Sequence, residues 1–208
     1  MANASSDNPS EPALAHESIY TASISGSSLR QAEILSDVIE FRLTLDSLQN
    51  RKEAAEVRPT KHPLAIIITQ DCDLEQDFFA RFPVAPRKVM AARFLPNILL
   101  CHVVTVPELM AITPPGSDIW NRVKQNKDER YHVLESVPAS QDALGIGMPS
   151  MGIDFKRLLT IPTDEVYAQL EMQARRRCVL ASPYLEHLST RFAYFLLRVA
   201  LPRPHEVS

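Results

Sequence analysis

The densest group of chemistry-capable side chains is Thr69-Gln70-Asp71-Cys72-Asp73, which sets a hydroxyl, an amide, two carboxylates and a thiol side by side. A hydroxyl next to carboxylates suits a phosphate or metal site when a rigid element presents them. The same residues also suit a turn, because Asp side chains bond to the backbone two residues on. Cys72 has the histidines His62, His102 and His132 as candidate bases. A reactive thiolate needs a nearby positive charge or a helix N-terminus to lower its pKa. Asp71 and Asp73 flank Cys72 instead, and like charge holds a thiol protonated. A cysteine-dependent hydrolase is therefore the weakest of the chemical readings.

A second group is basic. Arg51, Lys52, Arg58 and Lys61 precede an aliphatic run, and Arg81, Arg87, Lys88 and Arg93 follow it. Together they could line a groove for RNA phosphates, with Phe78, Phe79, Phe82 and Phe94 as stacking partners. Glu53, Glu56 and Glu75 interleave with them, as in an ordinary solvated loop. The candidate binding residues are Gln70, Asp71, Asp73, His62, Lys61 and Arg81.

Composition removes several function classes. There are 5 glycines, and only Gly145 and Gly147 lie close together, without a third glycine or a lysine. Phosphate-cradling loops need clustered glycine, so no nucleotide cofactor is expected. Neither C-x-x-C nor H-E-x-x-H occurs, and no metal is expected. The odd count of 3 cysteines, far apart, predicts reduced thiols in a cytoplasm. Residues 1–28 hold Asp7, Glu11 and Glu17 and no Lys or Arg. Of 25 acidic residues, 22 remain in the body against 22 Lys and Arg. That neutral balance is a poor match for duplex DNA. No apolar run nears the roughly 18 residues of a membrane helix, and no membrane partner is expected.

These groups need elements to position them. Residues 1–28 are rich in Ser, Ala, Asn and Pro without periodicity, which predicts a disordered tail. VIEFRLTL alternates as a strand near 37–45, and residues 46–62 read as a long exposed hairpin loop. LAIIIT (64–69) reads as a strand buried on both faces. QDCDLEQD follows as a polar turn, and residues 78–93 as loop or short helix. NILLCHVVTV (97–106) is the second strong strand. PELMAI and IWNRVKQN suggest short helices, and RYHVLESV and MGIDFKRLLTIP suggest strands. Thr163 could cap a helix that ends in Arg175, Arg176 and Arg177. Ser182-Pro183 starts a last helix with an apolar stripe of Leu185, Leu188, Phe192, Leu196 and Val199. The sum is an α+β, β-dominated fold: a small, strongly bent antiparallel sheet or barrel with two C-terminal helices, in one domain over residues 29–204.

The opening LRQAEILSDVIEF, the long basic loop, the run HPLAIIITQDCDL and the later MGIDFKRLLTIPTDEV resemble the MazF/PemK toxins over roughly residues 30–200. The resemblance implies a small SH3-type barrel and a toxin–antitoxin or defence setting. It also implies metal-independent RNA cleavage by a loop Arg and a Ser or Thr at the end of the second strand. Those would be Arg51 or Arg58, with Thr69. Two departures stand out: the family's early Gly is Ala32, and its Arg before Pro is His62, with Arg58-Pro59 upstream. The favoured reading is therefore a binding module with a protein partner, RNA being the second partner class and a metal-independent endoribonuclease the enzymatic alternative. Aromatic residues spread around the last helix also make it a candidate homodimer surface.

Overall fold

A computed structural model describes residues 18–44, 56–84 and 91–198. The strands are β1 (Tyr20–Ala22), β2 (Glu33–Leu43), β3 (Val57–Ile67), β4 (Asn97–Thr105), β5 (Tyr131–Leu134), β6 (Met151–Pro162) and β7 (Arg175–Leu180). The helices are α1 (Asp71–Arg81), α2 (Val106–Ile112), α3 (Asp118–Lys124), α4 (Thr163–Met172) and α5 (Tyr184–Leu196). The seven strands make one antiparallel sheet in the order β1-β7-β2-β3-β4-β6-β5. The fold is α+β and rich in strand, as expected, but the sheet does not close into a barrel.

β3 shows why the sheet is two-faced. Ala65, Ile66 and Ile67 are all fully buried, and alternate residues feed different cores. Ile66 joins Cys101, Phe155, Leu188 and Phe192 under α5. Ala65 and Ile67 join Leu74 of α1 and Val166 of α4 on the opposite face. Register shifts at Ile34/Leu35 and Cys101/Val103 bend the sheet. α2 lies close on β6 because residue 152 is glycine: a Cβ there would sit 2.6 Å from Leu109 Cδ2.

The bend brings the sheet's two edges together. Tyr20 of edge strand β1 donates its hydroxyl to the carbonyl of Glu135, just past edge strand β5, at 2.7 Å. The chain after β5 then returns as a strap. Val137 pairs with Met148, and Ala143 N–H donates to the Arg177 carbonyl at 2.8 Å. Inside the strap, Asp142 meets Arg177 in a fork, with Nε to Oδ1 at 2.8 Å and Nη2 to Oδ2 at 2.7 Å. Their side chains are 0% and 8% exposed. Asp142 also accepts from the N–H groups of Leu144 and Gly147. Gly147 is required there, since its φ is +73 and a Cβ would lie 2.7 Å from the Val137 carbonyl.

Several expectations change. The tail expected over 1–28 reaches no further than residue 17, because Ile19 and Tyr20 are buried and β1 pairs with β7. Residues 1–17 lie outside the described residues. About a third of the expected loop is strand: Val57–His62 belong to β3 and lie against β2, and residues 46–55 lie outside the described residues. The QDCDLEQD turn is the start of α1, whose buried Leu74, Asp77 and Ala80 recur at helical spacing. Asp71 and Asp73 occupy its first turn, where the helix dipole favours carboxylates. Arg175–Arg177 open β7 instead of closing a helix. The two last helices are thus separated by a strand. Thr163 is buried inside α4, with Pro162 at the cap position, and Ser182 bonds to Glu186 instead of capping α5.

Breaking a buried ion pair from one side leaves a stranded charge. Asp142→Ala is therefore expected to lose about 3–5 kcal/mol in denaturant unfolding. Asp37→Ala, which opens the exposed Lys61–Asp37 pair, is expected to lose about 1 kcal/mol or less. Equal losses in the two variants would remove the strap's special role.

Candidate functional site

The end of β3 meets α1, the start of β4 and α5 around a groove of about 500 Å³. Ile67, Ile68, Leu99, Leu188 and Phe192 supply its apolar surface, and Thr69, Gln70, Asp73, Asn97 and Gln31 its polar one. Gln31 ties two sides together, donating from Nε2 to the Ile68 carbonyl at 3.3 Å and to Ser189 Oγ on α5 at 3.2 Å. Among the described residues, Asp73 is the only ionisable one that lines the groove.

Three of the expected site residues, Thr69, Gln70 and Asp73, therefore share one surface. The hydroxyl of Thr69 is engaged: Oγ1 accepts the Leu99 N–H at 2.8 Å. The N–H groups of Ile68 and Thr69 both donate to the Leu99 carbonyl. Thr69 thereby prolongs the β3–β4 pairing past the last strand residue. Gln70 is exposed at the N-cap position of α1 and makes no capping bond. Asp71 accepts a two-pronged bond from Arg30, 3.0 Å from Nε and 2.9 Å from Nη2, and the Gln31 N–H at 2.6 Å. Cys72 is exposed in the same helical turn.

The other expected residues stand elsewhere. Arg81 binds Asp77 at 2.8 Å and the Leu95 carbonyl at 3.0 Å, anchoring the end of α1. Lys61 pairs with Asp37 at 2.7 Å and Arg58 with Glu56 at 3.2 Å, both on the surface. Arg58 is nine residues before Ile67 in β3, a separation of about 30 Å at roughly 3.3 Å per strand residue. It cannot share a phosphate with Thr69 in this arrangement. Arg51, Arg87 and Lys88 lie outside the described residues.

One polar chain was not visible in the sequence. His62, buried in β3, has Nε2 3.0 Å from Glu40 Oε2 of β2 and Nδ1 3.3 Å from His102 Nδ1 of β4. Only one proton fits between the two facing Nδ1 atoms. Burial pushes the Glu40 carboxyl up, but the bonds from Arg42 and His62 outweigh it and hold it below its usual range. Burial, with Arg157 and His62 adding positive charge, pulls His102 down to about 4. His132, buried against His187 and Phe155, falls to about 3, mainly by burial and then by Arg191 and His187. Its Nδ1 has no hydrogen-bond partner among the described residues. Among those residues no cluster of His, Cys, Asp and Glu could hold a metal ion, and no helix is long and apolar enough to cross a membrane.

Both histidines titrate lower in the folded chain than the ordinary value near 6.5, so the unfolded chain binds more protons in between. The stability they confer is complete above about pH 6.5 and declines as pH falls toward about 4. Urea midpoints measured between about pH 7.5 and about pH 4.5 are expected to fall, and His132→Phe is expected to flatten that slope. An unchanged slope in His132→Phe would contradict the buried, neutral state. Compared with known proteins, the chain matches no family model and no curated protein.

Proposed function

We infer that this chain is a MazF/PemK-like binding module, working in a cytoplasmic toxin–antitoxin or defence setting, that takes a protein segment in the groove beside Thr69. The observation that carries the reading is the one charge that the described residues bring to the groove, the carboxylate of Asp73, set among apolar and neutral polar residues. A segment with apolar anchors and one Lys or Arg complements it. RNA does not, because a carboxylate repels phosphate. Three of the eight basic residues nominated for RNA are also held by acids: Arg58 by Glu56, Lys61 by Asp37 and Arg81 by Asp77.

Ala32 stands where the family has glycine and takes φ of 59, the left-handed region that glycine favours. The endoribonuclease alternative lacks a comparable observation. Its hydroxyl, on Thr69, is bonded to the Leu99 N–H, and Arg58 is far along the strand. Electrostatic catalysis needs its donors aimed at one point beforehand.

Selection from a displayed peptide library tests the reading. Enriched peptides are expected to carry Lys or Arg among apolar residues, and Asp73→Lys is expected to turn the preference toward acidic peptides. Enrichment of acidic peptides by the unaltered chain would overturn the inference. So would Thr69-dependent cutting of mixed RNA in EDTA.

A further inference from the structure

A second cavity, of about 670 Å³, opens elsewhere on the molecule between α1, α4, the start of β7, the strap and the loop after β1. Its volume falls within the range of small-molecule sites. One wall is a packed aromatic set: Phe78 and Phe82 have ring centroids 5.2 Å apart, and Phe82 meets Tyr167 edge-on, also at 5.2 Å. Phe82 is nevertheless 46% exposed, and Leu144 of the strap, which also lines the cavity, is 44% exposed. Large apolar side chains are thus left facing an open cleft. Tyr167 adds a buried hydroxyl with no hydrogen-bond partner among the described residues, an unusual state for a buried donor.

The rim is polar, with Ser25 and Ser27 on the loop after β1. Its charges are Glu171, Arg175 and Arg176. Arg176 is neutralised by a fork onto Glu33, with Nε to Oε1 at 2.6 Å. Arg175 donates only to the neutral carbonyls of Met172 and Ala174 and has no ion pair among the described residues. Its charge, not cancelled by an ion pair among the described residues, therefore lines the aromatic cleft together with the carboxylate of Glu171. We propose that this cavity is a binding site for a small planar aromatic molecule bearing an anionic group, the ring covering Phe82 and Leu144 and the anion facing Arg175.

The geometry fits such a ligand in both parts. Planar rings gain from offset or edge-on contact with exposed aromatic side chains beyond the area they bury. A guanidinium that gains a carboxylate, sulfonate or phosphate makes a charge-assisted bond stronger than the carbonyl bonds it already has. The site is separate from the groove beside Thr69, with which it shares no lining residue.

The probe pair 1-anilinonaphthalene-8-sulfonate and N-phenyl-1-naphthylamine tests this, since the two share a ring system and differ in the sulfonate. Fluorescence titration of the full chain is expected to show saturable binding of the sulfonate at one site. Phe82→Ser is expected to weaken both probes about tenfold, and Leu144→Asp gives an independent check from the strap. Arg175→Gln is expected to weaken the sulfonate about tenfold and the neutral probe by less than about twofold. Leu196→Asp, in the other groove, is expected to change neither. Absence of saturable sulfonate binding would overturn the proposal. So would indifference to both Phe82→Ser and Leu144→Asp in variants whose circular dichroism is native. Equal loss of the two probes in Arg175→Gln would refute the anionic half.

Discussion

Arg177 and Asp142 meet where the two edges of the sheet approach one another, and the fold depends on that meeting. A seven-stranded sheet with bulges at Ile34/Leu35 and Cys101/Val103 curls but leaves its edges unpaired. Unpaired edges carry unsatisfied backbone groups and invite association. Here the strap after β5 carries Asp142 across to β7, and Tyr20 of β1 reaches back to Glu135. A buried ion pair gains little net stability over an apolar contact of the same shape. What it contributes is placement: a fork of two bonds admits one orientation of the strap. That orientation places Leu144 in the wall of the larger cavity.

The same logic governs the groove. α1 begins directly after β3, and its first turn must be held against the sheet. Asp71 does this by gripping Arg30 and the Gln31 N–H, and Thr69 does it by capping the β3–β4 pairing at Leu99. Side chains with catalytic potential thus act as joints. Asp73, two positions past Asp71, lines the groove and among the described residues accepts only the weak thiol bond of Cys72. The proposal of a protein segment over a phosphate chain rests on this charge and the apolar floor.

The sequence made the strong elements legible. LAIIIT and NILLCHVVTV are aliphatic, largely β-branched runs that suit a sheet interior, and they form the buried end of β3 and the whole of β4. The short helix at PELMAI also follows from local signals, with Pro at its first turn and Glu108 completing a capping box on Thr105. Elements fixed by distant partners stayed hidden. Tyr20 sits in a Ser-rich stretch and becomes a strand only because β7 offers an edge. Arg175–Arg177 look like a helix end by the dipole rule, yet Arg176 and Arg177 are each claimed by a buried carboxylate, Glu33 and Asp142. The Glu40–His62–His102 chain requires the register of β2, β3 and β4, which a single sequence does not disclose. At the site, Thr69-Gln70-Asp71-Cys72-Asp73 stood out correctly as a polar cluster at a strand end. Its use as a joint depends on Arg30 and Leu99, which are remote in sequence.

The role of Thr69 separates a joint from a catalytic group most directly. The shape-preserving change Thr69→Val removes the hydroxyl while keeping the side chain's volume. If Oγ1 serves the Leu99 N–H, denaturant unfolding of Thr69→Val loses about 1–3 kcal/mol, and Thr69→Ser keeps most of the stability. If Thr69→Val unfolds within about 0.5 kcal/mol of the unaltered chain, the hydroxyl is not holding the joint and the account fails.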